Sequence, residues 1–321
     1  MIERNPSICA ARADARVALV TCAVLPDLEA DDRLVLAPLA ARGIDAEPVV
    51  WDGEGVDWDS YDLAVLRSPW DYARRREEFV AWAGRVPRLA NPADVVAWNT
   101  EKTYLEQLSD AGIPVVHTDW VHQGETWRPP GDGEYVVKPA VSSGSRDTGR
   151  YDLADAGHRD LAAAHVARLR AAGRLVMVQP YLTAVDDVGE TGLLFLGGTF
   201  SHAIRKGPML EGPDAPGSGR RAPGLYRPER ITGRQPSAAE VEVAEKVLAA
   251  IPGGGERLLY ARIDLIPGAD GAPLLVEAEL TEPSLYLDRD EGAADRFAEA
   301  IAAHLFMITE TSGSQDHPTF P

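Results

Sequence analysis

Two short stretches in the last third of the chain carry the densest chemistry. Arg262-Ile263-Asp264 sits inside the apolar run LLYARIDLI, and Glu277-Ala278-Glu279 inside the next one, APLLVEAEL. In an extended chain residues i and i+2 share a face, so Arg262 projects with Asp264, and Glu277 with Glu279. Three carboxylates and a guanidinium then converge on neighbouring strands otherwise built of Leu, Ile and Val. Unpaired charge in such surroundings is costly. Hard divalent cations such as Mg²⁺ bind through carboxylates together with substrate phosphates, which would offset the clustered negative charge. The competing reading is a solvent-facing side of half-buried antiparallel strands, which shows the same alternation.

A second constellation follows the strand Tyr135-Val136-Val137-Lys138. The 142–149 loop, SSGSRDTG, is small and Gly-containing, so its N–H groups can approach phosphate oxygens while Lys138 supplies a point charge. Gly144 and Gly149 have the spacing of a Walker A loop, but Arg150 and Tyr151 stand where that motif needs Lys and Ser or Thr, so a P-loop NTPase is disfavoured. The alternative is a plain hairpin loop. Further on, Gln179-Pro180-Tyr181-Leu182 ends a strand at a kink that could offer backbone groups to an adenine edge, with Glu190 close behind for ribose hydroxyls. The loop at 67–72, RSPWDY, follows a strand's carboxyl end, where open α/β sheets place ligands. Lysine is scarce, at positions 102, 138, 206 and 246 only, against 28 arginines. Each lysine is therefore a candidate, although Lys246 reads as a solvated helix face.

The elements that position these groups follow from apolar periodicity. The runs ARVALVTCA, AEPVVW and YDLAVLRSPW read as strands and DRLVLAPLAARG as a helix stopped by Gly43, an order that implies parallel pairing. NTEKTYLEQLSDAG reads as a helix capped by Asn99 or Thr100, HRDLAAAHVARLRAAG as a second, SAAEVEVAEKVLAAI as a third and GAADRFAEAIAAHLF as a closing helix. Between them lie strands LVMVQPYL, GLLFLGG and TFSHAIRK and a long Gly/Pro/Arg loop at 207–236, a lid or a disordered connection. Residues 1–16 and 309–321 read as loose tails.

Composition narrows the classes. The chain has 321 residues, 45% apolar and 26% charged, enough for a core shared by about two domains. A formal charge of −18 argues against nucleic-acid or anionic-membrane partners. No apolar run approaches the roughly 20 residues of a membrane span, and the opening residues have no export-type apolar region, so a cytoplasmic location is expected. The two cysteines, Cys9 and Cys22, read as free thiols, and the seven histidines form no ligand cluster.

Taken in order, these pieces resemble the ATP-grasp superfamily, the carboxylate–amine ligase fold of glutathione synthetase and D-alanine–D-alanine ligase, over residues 17–306. The resemblance implies an α/β (α+β) fold: an N-terminal Rossmann-like parallel-sheet domain over 17–98, then a lid subdomain over 99–180 and a C-terminal subdomain over 181–308 that clasp ATP. It assigns Lys102, Lys138 and the loop residues Ser142, Ser143, Gly144 and Ser145 to phosphates. Gln179, Pro180, Tyr181, Leu182 and Glu190 fall to the nucleoside, and Asp264, Glu277 and Glu279 to two Mg²⁺ ions. Arg262 would stabilise the transferred phosphoryl group, with Arg205 and Arg221 as further catalytic candidates. The family usually has Asn where Glu279 stands; Glu keeps an oxygen ligand and adds a negative charge. RSPWDY and VEAELTEPSLYL are similar to an actinobacterial-type branch that includes the cycloserine-forming O-ureidoserine cyclo-ligase. They nominate Arg67, Ser68, Trp70, Tyr72, Glu282 and Ser284, with Lys206, for the substrate.

The expected function is an ATP-dependent ligase that activates a small-molecule carboxylate as acyl phosphate and couples it to an amine or another nitrogen, within or between molecules. Its substrates are small molecules, and relatives suggest a homodimer. A non-catalytic ATP-binding regulator and an ATP-dependent small-molecule kinase are the rival expectations.

Overall fold

A computed structural model describes residues 15–210, 212–213 and 230–313, with side chains to residue 307. The chain begins with strand β1 (Ala15–Thr21), a 3-10 turn (Asp32–Val35) that runs into helix α1 (Leu36–Ala40), and strands β2 (Ile44–Val50) and β3 (Leu63–Ser68). Helix α2 (Arg76–Ala83) and strand β4 (Leu89–Ala90) complete this unit. The four strands pair in parallel in the order β2-β1-β3-β4. Strands β1 and β3 are almost wholly buried, as a parallel sheet covered on both faces requires. One face packs Trp51, Phe79 and Trp82, and the other packs Leu39, Phe297 and Ile301.

The middle of the chain forms helices α3 (Ala93–Asn99) and α4 (Tyr104–Asp110), then β5 (Asp119–Val121), β6 (Glu134–Pro139), β7 (Gly149–Asp152), α5 (Ala156–Ala171) and β8 (Val176–Pro180). These strands make an antiparallel sheet of order β5-β8-β6-β7 with α5 against it. The remainder is α6 (Ala184–Asp187), β9 (Glu190–Leu196), β10 (Thr199–Lys206), β11 (Ile231–Arg234), α7 (Ala238–Ala250), β12 (Tyr260–Pro267), β13 (Pro273–Glu279) and α8 (Ala293–Gly313). Its five strands pair antiparallel in the order β11-β10-β9-β12-β13. The start of α7 is set by a reciprocal capping box between Ser237 and Glu240. No helix of the described residues is long and apolar enough to cross a membrane.

Several expectations shift. Strand β1 starts at Ala15, inside the expected N-terminal tail, and α8 continues to Gly313, inside the expected C-terminal one. Most of the 207–236 loop, with Arg221, lies outside the described residues, but its end forms β11 against β10. Asn99 does not cap a helix; it ends α3, and α4 starts only at Tyr104. Its buried amide instead donates to Ala278 O (2.7 Å) and accepts from Leu280 N (2.9 Å), satisfying main chain that no strand pairs. Asn91 does the same for Tyr260 O and Leu259 N. Residues 104–116 pack on the five-stranded sheet: Val116 N donates to Leu275 O, Leu275 N donates to Pro114 O, and Leu105 and Leu108 join the core of α7.

Arg67, nominated for substrate, is fully buried in the frame instead. Its Nε and Nη2 donate to Asp32 Oδ1 at 2.9 and 2.8 Å, Nη2 reaches Pro283 O at 2.7 Å, and its guanidinium lies over Tyr260 and Phe297. Removing one partner of a buried ion pair leaves the other charge uncompensated. Arg67→Met is therefore expected to lower unfolding free energy by about 3–5 kcal/mol, measured by urea denaturation; a loss within experimental error would show that Asp32 finds other partners.

His165 on α5 is buried with Nδ1 2.8 Å from Tyr151 Oη, and burial pushes its pKa down to about 4 from 6.5. The unfolded chain thus binds the extra proton first, so this site's contribution to stability falls as pH drops from about 6.5 to about 4. His165→Gln should flatten that part of the stability–pH curve, read by denaturation at pH 7 and pH 5.

Candidate active site

All three sheets contribute to one cavity of about 610 Å³. The five-stranded sheet presents Glu190, Lys206, Arg262, Glu277 and Glu279, and the loop after β13 adds Glu282 and Ser284. Opposite stand Lys138, Ser142, Ser143, Gly144 and Ser145, with Gln179, Pro180, Tyr181 and Leu182 at the connection out of β8. Lys102 and Trp70 close the side.

The floor is an ionic lattice. In the β12–β13 register Arg262 faces Glu279 and Asp264 faces Glu277. Asp264, 1% exposed, accepts from Arg262 Nε at 2.9 Å and Nη2 at 2.9 Å, and from Lys206 Nζ at 3.0 Å. Arg262 also pairs with Glu279, Lys206 Nζ with Glu190 Oε1 at 2.5 Å, and Lys102 Nζ with Glu277 Oε1 at 2.9 Å. Strand β9 carries Gly192 beside Asp264; a Cβ there would lie 3.0 Å from Asp264 Oδ1 and from Ile204 Cδ1, so a side chain at this position would press on the carboxylate.

Burial alone would raise every one of these acids, and the neighbouring cations decide how far. Burial opposes ionisation of Asp264, yet Arg262 and Lys206 outweigh it and hold the carboxyl well below its usual range. Lys102 and Lys138 likewise outweigh burial at Glu277 and lower it. At Glu279 burial, with the charges of Glu277 and Asp264, wins over Arg262 and pushes it up to about 8; Glu190 rises to about 7, chiefly by burial. Lys138 is the exception among the four lysines. Lys102, Lys206 and Lys246 each pair with a carboxylate, whereas no acid of the described residues lies within ion-pairing reach of Lys138. Burial lowers its pKa to about 8. A cation facing a cavity without a counter-charge is half of an anion site.

The 142–149 loop joins β6 to β7 as a hairpin, unlike the strand-to-helix turn of a P-loop. Gly144, Ser145 and Asp147 have φ of +60°, +52° and +52°, the left-handed conformation in which successive N–H groups can converge on an anion. Asp147 is held by Arg174 and Arg168. The other side is tied to the N-terminal unit: Ser143 Oγ and Arg146 Nη2 donate to Trp70 O at 3.0 and 3.2 Å.

Not every nominated residue reaches the cavity. Ser68 is buried against Thr21, with their hydroxyl oxygens 3.2 Å apart, and Tyr72 stacks on Phe79 behind Glu282. Arg205 alternates with Lys206 along β10 and therefore points the other way, donating to the carbonyls of Asp187 and Val188. Asp264 lies beneath the floor and does not line it. Sequence reasoning missed Glu29, Asp31, Leu34, Tyr286, Asp288 and Arg289, which line the outer end. Glu29 and Asp31 lie on the loop after β1, a strand-end loop like 67–72, which was the available signal.

For Mg²⁺ the donor chemistry fits. Glu277 and Glu279 offer hard oxygens from one strand face toward the cavity, and phosphate oxygens would complete the coordination. Among the described residues no group of three or more His, Cys, Asp or Glu forms a metal cage by itself.

Residues 17–91 match the family model of the N-terminal domain of D-cycloserine synthetase DcsG. The cycloserine biosynthesis protein DcsG of Streptomyces lavendulae is 39% identical over 307 residues, 90% of this chain and 98% of that protein. The crystal structure of D-cycloserine synthetase DcsG superposes with a TM-score of 0.77 at 37% identity, over 91% of this chain and 100% of that one. A RimK-domain ATP-grasp protein of Sphaerobacter thermophilus (TM-score 0.60, 17% identity, 89% and 99% covered) and D-alanine–D-alanine ligase of Bacillus anthracis (0.58, 13%, 93% and 100%) share the fold. With a relative this similar along nearly its whole length, the chain belongs to the DcsG family of ATP-grasp, ADP-forming carbon–nitrogen ligases.

Proposed function

We propose that this ligase activates the carboxylate of an O-ureidoserine-type amino acid with ATP and closes the molecule on itself, as a cycloserine-forming enzyme would. The observation that carries the anion half of this reading is Lys138, which lines the cavity with Glu277 and Glu279 but makes no ion pair among the described residues. The DcsG relatives, named for cycloserine biosynthesis and for D-cycloserine synthesis, support the choice of product.

The triphosphate lies between Lys138, Lys102 and the 142–145 turn, with adenine at Gln179–Leu182. Glu277 and Glu279 would hold Mg²⁺, two ions as in the ATP-grasp resemblance, and the metal would supply neutralisation of the triphosphate charge. A substrate carboxylate oxygen attacks the γ-phosphorus and ADP departs, leaving an acyl phosphate. The ureido nitrogen bonded to oxygen then gives up its proton and attacks the acyl carbon, the five-membered ring closes and phosphate leaves; water must then cleave the carbamoyl group from the ring nitrogen, releasing CO2 and ammonia, to give cycloserine. Positioning and electrostatics dominate such transfers, so the chain needs no covalent nucleophile. Arg262 lies at the cavity wall to stabilise charge on the phosphoryl group, and Asp264 and Ser284 O hold its guanidinium in place. Lys102 and Arg262 pair with Glu277 and Glu279 in the structure. Phosphate offers these cations a competing anion, so loading the site is an exchange of partners.

The direct test is incubation with ATP, Mg²⁺ and O-ureidoserine, following ADP release and the product by mass spectrometry. Cycloserine is expected; ADP release with a stable phosphorylated product would make the protein a kinase, and tight ATP binding without ADP release would make it a regulator. Glu277→Gln should abolish ADP formation while leaving the fold intact by circular dichroism; full turnover would remove Glu277 from the metal site. Lys138→Met removes one charge-assisted contact, so ATP affinity should fall about ten- to one hundred-fold by calorimetry. Unchanged affinity would place the triphosphate elsewhere.

A further inference from the structure

The acids around the cavity are not equally provided for. Glu190 has Lys206, Glu277 has Lys102 and Glu279 has Arg262. Glu29 and Asp31, at the outer end, accept from the main-chain N–H groups of Asp31 and Asp288. Glu282 lines the same cavity with no Lys, Arg or His of the described residues in ion-pairing reach. Its backbone is nevertheless clamped: Trp70 Nε1 donates to Glu282 O at 3.1 Å, Arg67 Nη2 to Pro283 O at 2.7 Å and Arg262 Nη1 to Ser284 O at 3.0 Å. The buried ring of Tyr72 stands beside the carboxylate. A carboxylate on a segment held this firmly, in ion-pair contact with no cation of the described residues, is complementary to a cation that arrives with the ligand.

Its place says which cation. Glu282 is near enough to Lys102, Glu277 and Arg262 for their charges to act on it, so it borders the place where the reading above puts the transferred phosphoryl group, which the substrate carboxylate must reach. In an α-amino acid the ammonium group is only one carbon removed from that carboxylate. We propose that Glu282 is a specificity-determining residue that receives the α-ammonium group of the substrate, so that the site selects α-amino acids over plain carboxylic acids. This rests on phosphoryl transfer to the substrate carboxylate taking place beside Arg262 and Lys102, as proposed above, but not on ring closure. The lattice beneath explains the division of labour. Arg262 is committed to Asp264 and Glu279, and Lys102 to Glu277, which leaves Glu282 as the acid for an incoming ammonium.

The test uses the full-length protein loaded with a non-hydrolysable ATP analogue and Mg²⁺. Binding of O-ureidoserine is compared by calorimetry with binding of 3-(ureidooxy)propanoate, which lacks only the amino group. The wild type should prefer the amino acid by about ten- to one hundred-fold, and Glu282→Gln should reduce the preference to about twofold or less with nucleotide affinity unchanged. Equal or undetectable binding of the two acids by the wild type, which needs no variant, would overturn the proposal, as would an undiminished preference in Glu282→Gln. Product formation is measured separately. An amino-group preference that depends on Glu282, without cycloserine formation, supports the anchor and removes the cyclisation; cycloserine formation without that preference does the reverse.

Discussion

The buried carboxylate of Asp264 is the constraint around which the site is arranged. Taken out of water on a central strand, it is tolerable only because Arg262 and Lys206 both reach it. Lys206 comes from β10, two strands away, and β9 between them carries Gly192 where the carboxylate lies, so that no side chain crowds the pair. Once Arg262 and Lys206 are committed, their second partners follow: Glu279 for one and Glu190 for the other. One buried charge thus orients two cations and two further acids.

What holds the walls of the cavity together is mostly apolar. A single core joins Val17, Leu19 and Val65 of the parallel sheet to Leu194 and Tyr260 of the five-stranded sheet through Phe297 and Ile301 of α8. Because the two sheets share this core, the loops after β1, β3 and β13 are presented to the same space. Polar main chain crossing the junction is satisfied by Asn91, Asn99 and Arg67. The β6–β7 hairpin is attached differently, by hydrogen bonds to the carbonyl of Trp70. A surface joined by a few polar contacts opens more readily than one sealed by apolar burial.

Residues on the strands next to the site were legible because parity carries them. Arg262, Asp264, Glu277 and Glu279 each sit at an i, i+2 spacing, and the β12–β13 register places them as alternation requires. The same rule separates Arg205 from Lys206: adjacent on one strand, they take opposite faces, and only Lys206 looks inward. Arg67 and Ser68 misled for another reason. Both are the last residues of β3, but the segments that bury them, Asp32 and Pro283 around Arg67 and Thr21 beside Ser68, lie far away in sequence. Asn99 has a helix-cap composition and a different employment, again set by chain more than 170 positions away.

From sequence alone came the class of fold, the order of elements, the scarce lysines and the paired acids, since each is written in local periodicity or composition. The tertiary structure decided which charges neutralise one another, because ion pairs form between strands and loops that no spacing relates. It alone could show that, among the described residues, Lys138 and Glu282 each stand outside ion-pair contact. An unmatched charge is a property of everything around a residue, and its surroundings exist only once the chain has folded.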